Sequence, residues 1–491
     1  MKHFGSIARS AARALPSRIL PAPERAGAFG FFASLALLVF LLGFASAYFR
    51  FFPYRPLENA LVSASVLMDM HKGAPEYSEF AYTGMEDRPS FENVPRGSEG
   101  AGHLTVINYF HKPEVHLVNG RGRVIHTYAP KLPESDREFL YERFSEEYQA
   151  LDSAEHLSIQ KIHIHENGDA TLMLNIVGSR WSYGAGLLRV DRDSNILWKS
   201  FIFHTHHDFD IAGDGRIYTL AYKQQETPAK GLESLPAPYT DHHAVVLSPD
   251  GKVEERVSLL KALKRSRYGF YIGNGNLLPL HNTGAEGDYL HANNVDLVTE
   301  ADARVFPYAD KGDLLISMRD IHAIGVLDME ARKFTWLKRG PWIAQHDPDI
   351  LPNGNLLIFD NLGADGGSGK SRIIEYDPRA ERVVWSYSGS AGQPFETDIR
   401  GSQQPLENGN VLISETMGSR VFEVTRDGRI VWQLVSPFRF GEKQQLAPVV
   451  RWPRRLNVSR FNAEFRAFLR EAAKTSAPLG ADETAQADGS R

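Results

Sequence analysis

Residues 346–360 read HDPDILPNGNLLIFD: an acidic opening, an Asn-Gly turn at 353–354, then an apolar run of strand length. An Asn-Gly pair between two such runs signals a tight antiparallel turn. The phrase recurs as HENGDATLML from His165, AGDGRIYTL from Ala212, LENGNVLIS from Leu406 and, less regularly, YADKGDLLIS from Tyr308. Its glycines, Gly168, Gly215, Gly312, Gly354 and Gly409, stand 47, 97, 42 and 55 residues apart. A four-stranded propeller blade takes about 40–50 residues, so the long gap marks an insertion.

A second phrase, apolar, acidic, turn, apolar, often closes on Trp: LLRVDRDSNILW, VVLSPDGKVEERV, IGVLDMEARKFTWL, IIEYDPRAERVVW and VFEVTRDGRIVW. The paired phrases give five blades, and strands from the two ends of the body would close another. The expected fold is all-β, a six-bladed propeller over residues 101–457, with seven blades as the alternative. Ser135 and Glu138 resemble a capping box for a helix over 135–151. Residues 263–289 form a Gly-rich insertion that could cover one face. An amphipathic helix is expected over 458–475, with Phe461, Phe465, Phe468 and Leu469 on one side. The remaining 476–491 is small and polar, a composition that favours disorder.

Ahead of the body, residues 26–49 carry no charge and centre on FFASLALLVFLLGF. At about 1.5 Å per residue that run suffices to cross a ~30 Å hydrocarbon core. The tail 1–25 holds Lys2, Arg9, Arg13, Arg18 and Arg25 against Glu24, so the positive-inside rule puts it in the cytoplasm. Tyr48, Phe49, Phe51, Phe52 and Tyr54 would sit at the far interface. The expectation is a single-pass inner-membrane signal anchor, a linker over 50–100, and the propeller on the periplasmic side. Ala45-Ser46-Ala47 also fits a cleavage site, in which case the exported body is released.

The net charge of −5 supplies no basic surplus for phosphates, which argues against nucleic-acid partners. With no cysteine, thiolate chemistry, disulfides and cysteine-bound zinc are excluded. The 18 histidines are then the main candidates for chemistry near neutral pH. Counting back from the turn glycine, HDPDILPNG lies on HDFDIAGDG, so His346 matches His207 and Asp349 matches Asp210. LHANNVDLV has the same shape, with Asp296 matching Asp349 and His291 close by; Arg319 and His322 follow an inner strand in LLISMRDIHAIGVLD. Residues at the entrance of a blade's inner strand face the axial channel. His204 and His206 could be solvated partners of Asp208, while His242 and His243 read as structural.

QHDPDILPNGNLLIFDN, ISMRDIHAIGVLD, the His291-Ala292-Asn293 triplet and the closing VFEVTRDGRIVWQLVSP with VVRW resemble the arylsulfotransferase family. That resemblance implies an exported transferase moving a sulfuryl group from an aryl sulfate to a phenolic or other hydroxyl acceptor. It implies His346 as nucleophile, forming a sulfohistidine, with His207, His291, Asn293 and Arg319 on the sulfate, and no cofactor or metal. The sandwich domain and disulfide of better-known members have no counterpart here. Two other readings fit the same histidines: a non-catalytic envelope propeller binding an anionic ligand, and a His-metal enzyme using His204, His206, His207 and His291 with Asp208 or Asp210.

Overall fold

The computed structural model describes residues 22–49, 82–84, 103–145, 157–176, 184–202, 204–233, 235, 237–273, 287–363, 371–441 and 444–481. The chain divides into two compact units, residues 1–76 and 77–491. The element described in the first is the helix Ala22–Phe49. Side chains are described for its residues 31–44, and all are exposed, Phe40 at 67%. Among the described residues, no helix is long and apolar enough to cross a membrane.

The second unit is all-β and propeller-like. Its short strands pair antiparallel with their chain neighbours. Three sheets are separate four-stranded meanders, running from Ala292–Leu297 to Lys333–Arg339, from His346–Ile350 to Arg382–Tyr387, and from Ser402–Pro405 to Ile430–Val435. A longer sheet of eight strands joins two meanders between Leu157–Ile164 and Val253–Ser258 through one pairing, Gly184 with Thr205. A side chain at Gly184 would strike the Thr205 carbonyl, its Cβ only 2.2 Å away, so glycine lets the meanders touch.

The last sheet closes the body on itself, as the sequence leads one to expect. Val450–Asn457 pairs with His103–Tyr109, Leu104 opposite Leu456 and Asn108 opposite Arg451. The first strands of the meanders touch in series: Leu157–Ile164, Thr205–Ile211, Ala292–Leu297, His346–Ile350 and Ser402–Pro405. Val450–Asn457 then touches both Ser402–Pro405 and Leu157–Ile164, completing the circuit.

Core packing follows from strand alternation between neighbouring sheets. One buried cluster interleaves Leu315, Ile324 and Trp336 with Leu356, Ile358 and Tyr376 of the next meander. Each such residue, fully buried, contributes about 1.5–3 kcal/mol. The turn phrase does its expected work at Gly354, which sits at φ +81° and donates its N–H to Leu351 O at 2.8 Å.

Three excursions differ from the sequence reading. The first helix spans Glu134–Ser145, starting one residue ahead of the expected cap, and 146–151 lie outside the described residues. The insertion begins with a helix, Leu259–Arg265, because Ser258 caps it and Leu259, Leu260, Ala262 and Leu263 have core to pack against; 274–286 lie outside the described residues. The amphipathic helix is shorter than expected, Ala463–Ala472, and buries Phe465 and Leu469. The expected tail disorder fails at its start: Ala477–Pro478 pairs with Arg123–Tyr128, and Leu479 N donates to Gly122 O. Leu479 is buried there, which a polar composition does not reveal.

Candidate functional site

The inner strands bring the candidate residues together from separate parts of the chain. His346 opens the strand His346–Ile350, His207 lies in Thr205–Ile211, and Asn293 lies in Ala292–Leu297 directly after His291. Arg319 begins a 3-10 turn after Leu314–Met318, and its backbone N–H donates to His291 O at 3.1 Å.

Strand register corrects one expectation. Asp210, Asp296 and Asp349 do occupy one ladder position, opposite Tyr218, Leu315 and Leu357. His346 pairs with Phe359, five residues beyond its turn glycine, but in the Thr205–Ile211 strand the corresponding Leu220 pairs with His206. His207 and Asp208 bulge out between His206 and Phe209, and His207 takes φ +61°. The bulge aims His207 differently from His346 although both stand at the same distance from a glycine.

His346 is buried, and its Nδ1 lies 2.7 Å from Asn361 Oδ1 and 3.2 Å from Ala344 O. The Asn361 amide is fixed by its other end, because Nδ2 donates to Thr397 O and Arg400 O, each at 2.7 Å. Its Oδ1 must therefore accept, so His346 carries its proton on Nδ1 and leaves the Nε2 lone pair free. Burial and the Arg319 charge push His346 down to about 3, so the ring is neutral at physiological pH. Gln345 pins the preceding backbone, donating to Ser317 Oγ, Met318 O and Ala323 O. Asn293 Nδ2 adds a bond of 2.8 Å to Gln345 O. Asn293 thus braces the backbone beside His346, and its Oδ1 has no hydrogen-bond partner among the described residues.

Around this nucleophile candidate stand His207, His291 and Arg319. The rings of His207 and His291 are 5.2 Å apart, steeply inclined. Asp288 accepts from His291 Nδ1 at 2.8 Å. Burial opposes the charged form of His291, but Asp288 outweighs it and raises the pKa. Arg319, buried, holds Asp320 at 2.8 Å.

His206, expected as a solvated partner of Asp208, is instead buried between two histidines, one of them His242, which read as structural; Asp288 was not named from sequence. His206 Nδ1 meets His207 Nδ1 at 2.8 Å, His206 Nε2 meets His242 Nδ1 at 3.1 Å, and His242 Nε2 meets Asp288 Oδ1 at 2.7 Å. These residues come from strands and a loop far apart in sequence, so only the fold reveals their contact. Arg451 is a further cation: buried, stacked on Phe110 at 4.2 Å, with Nε and Nη2 lacking a hydrogen-bond partner among the described residues, and it adds to the depression of His207 that burial causes. Asp208, a suggested metal ligand, is engaged with Lys161 and with Asn294 Nδ2. Among the described residues, no group of three His, Asp or Glu is arranged to hold a metal. Two surface cavities of about 250 and 380 Å³ lie elsewhere, one beside Tyr109 and His111, the other beside His103 and Gln404.

The arylsulfotransferase (ASST) family model matches residues 166–440, more than half of the chain and the stretch that carries every one of these histidines. The chain belongs to the arylsulfotransferase family. None of the curated proteins matches it. Among solved structures it is similar to a protein of unknown function from Bacteroides caccae, at 11% identity and TM-score 0.42, over 71% of this chain and 99% of that one. It is similar also to AztD from Citrobacter koseri, at 10% identity and TM-score 0.34, over 72% and 98%. Virginiamycin B lyase from Staphylococcus aureus is similar at 9% identity and TM-score 0.30, over 57% and 70%. At such low TM-scores these structures carry no weight for the arylsulfotransferase site.

Proposed function

We propose that this chain moves a sulfuryl group from an aryl sulfate to a phenolic or other hydroxyl acceptor through a sulfohistidine on His346. The observation that carries the reading is the clamp on His346, in which Asn361 holds Nδ1–H and Nε2 is left as a neutral nucleophile. In the first half-reaction the Nε2 lone pair attacks sulfur, the aryl S–O bond breaks, and the leaving oxygen takes a proton. In the second, an acceptor oxygen attacks sulfur, gives up its proton, and the N–S bond breaks to restore His346. Charge spreads over the sulfuryl oxygens, where Arg319 and the His291 imidazolium stabilise it, as cations do in phosphoryl transfer. Asn293 keeps the His346 backbone in place.

The test uses the purified full-length chain with p-nitrophenyl sulfate. Added phenol speeds nitrophenol release, His346→Ala abolishes it, and His243→Ala leaves it intact. Brief exposure to the donor adds about 80 Da, one sulfuryl group, to the His346 peptide. Equal activity in both variants overturns the assignment. Stoichiometric sulfate binding with no turnover over a broad donor panel would instead favour an anion-binding propeller, the reading to which Arg451, unpaired at Nε and Nη2 among the described residues, lends itself.

The closed circuit of inner strands supports a ring of six blades. The uncharged run 26–49, which lies within the helix Ala22–Phe49, and the basic residues that precede it in sequence support a membrane anchor with the N-terminus in the cytoplasm and the body on the periplasmic side.

A further inference from the structure

His207, His206, His242 and Asp288 form an unbroken series in which each contact is of hydrogen-bond length: 2.8, 3.1 and 2.7 Å. Both ring nitrogens of His206 and of His242 are consumed within it. His206, His242 and Asp288 are at most 3% exposed, so bulk water does not compete along the series. One end is a carboxylate, which also accepts the His291 N–H at 2.9 Å and His291 Nδ1 at 2.8 Å. At the other end His207 has spent Nδ1 on His206, and Nε2 is the nitrogen left to face a ligand.

An ionised carboxylate only accepts, so His242 carries hydrogen on Nε2. That leaves two self-consistent arrangements. With every ring neutral, His206 has its hydrogen on Nε2, His207 has its own on Nδ1, and His207 Nε2 is a bare acceptor. With one proton added, His242 is an imidazolium facing Asp288, the His206 hydrogen is on Nδ1, and His207 Nε2–H is a donor. The two differ by one proton entering at His207 Nε2 and two hydrogen bonds reversing, while His242 Nε2–H donates to Asp288 in both.

We infer that His207, His206, His242 and Asp288 are a proton wire that stores, between the two half-reactions, the proton exchanged by the leaving and the accepting oxygens. The inference rests on the transferase reading. In the first half-reaction His207 Nε2–H passes its proton to the departing aryl oxygen; His206 and His242 each hand one hydrogen along, and the wire becomes neutral. In the second, the acceptor hydroxyl gives its proton to His207 Nε2 as its oxygen attacks sulfur, the bonds reverse, and the charge returns to His242 beside Asp288. Protons balance over the cycle. The His346 Nδ1 hydrogen cannot serve, since Asn361 holds it while Nε2 carries the sulfuryl group. His206, His242 and Asp288 touch no reacting atom; they are positioning residues that act through His207.

The experiment compares sulfohistidine formation from phenyl sulfate, whose oxygen leaves only with a proton, and from p-nitrophenyl sulfate, whose oxygen leaves well without one. His242→Gln is expected to slow the first about 100-fold or more, in the range of general acid catalysis, and the second less than about threefold. His206→Gln, which cuts the wire elsewhere, gives the same selective loss. Equal slowing of both donors assigns these residues a merely structural role and overturns the wire, as does no slowing of either. If the wild-type chain turns over neither donor, the transferase reading falls, and the wire is judged by ¹⁵N-histidine NMR of the full chain. On acidification His206 stays neutral while its hydrogen moves from Nε2 to Nδ1, in the same step that charges His242. A His206 tautomer that stays fixed as His242 charges overturns the wire.

Discussion

At the scale of single residues, the site depends on which nitrogen carries which hydrogen. Asn361→Leu deletes the shorter of two acceptors for His346 Nδ1, leaves only Ala344 O at 3.2 Å, and so loosens the hold on the tautomer that keeps Nε2 bare. A hydrogen bond of this kind is worth about 1 kcal/mol, so kcat is expected to fall roughly fivefold; the readout is single-turnover formation of the adduct. The pH dependence has a definite sign. His346 is neutral down to about 3 and sets no acid limb above that. The raised pKa of His291 keeps its charge present below the ordinary histidine value, ~6.5, and lost as pH rises through the higher folded value. Transition-state stabilisation from His291 is therefore lost on the alkaline side, and a kcat/KM profile of Asp288→Asn shows that limb at lower pH. His207, His291, Asn293, Arg319 and His346 were legible because each belongs to a repeated or quoted motif. Asn361 lay at the end of a quoted motif with no role given to it, and the roles of His206, His242 and Asp288 were not legible, because a hydrogen bond across 36 or 46 residues leaves no trace in local spacing.

Elements add what residues alone do not explain. The turn glycines, read from the Asn-Gly phrases, were sound guides to the strand ladders, since Asp210, Asp296 and Asp349 fall in register. Counting failed across the bulge at His207, where two residues leave the ladder, and by one residue at Asn293, since Ser317, five beyond Gly312, pairs with Asn294. Gly354→Ala is expected to destabilise by about 1–3 kcal/mol: the position has φ +81°, and a Cβ there would lie 2.3 Å from Val305 O. Thermal unfolding measures it. The strand Val450–Asn457 holds three arginines. Arg454 has Asp347 at 3.1 Å and Arg455 has Glu423 at 3.5 Å, but Arg451 has no carboxylate partner among the described residues. Arg451→Met removes a buried, uncompensated charge and is expected to raise Tm, the opposite of the outcome for Arg454→Met.

The whole molecule is organised by its closure. All-β architecture, the repeat length and the pairing of the two ends of the body could be read from turn spacing. The helix Leu259–Arg265 and the ordered start of the tail could not, because they depend on apolar surface that the assembled sheets provide. Removing residues 450–491 strips His103–Tyr109 of its partner strand and exposes its edge; the truncated chain is expected to lose cooperative unfolding and to aggregate. If the N-terminal helix is an anchor, the full chain stays with membranes through an alkaline carbonate wash, and a chain of residues 77–491 is released. The closing strand also sets a clock. Ribosomes deliver the nucleophile candidate His346 about a hundred residues before Arg454, the cation that grips its neighbour Asp347. A half-made chain holds that ring without the strap that locks its backbone, so under the transferase reading competence arrives only with the strand Val450–Asn457.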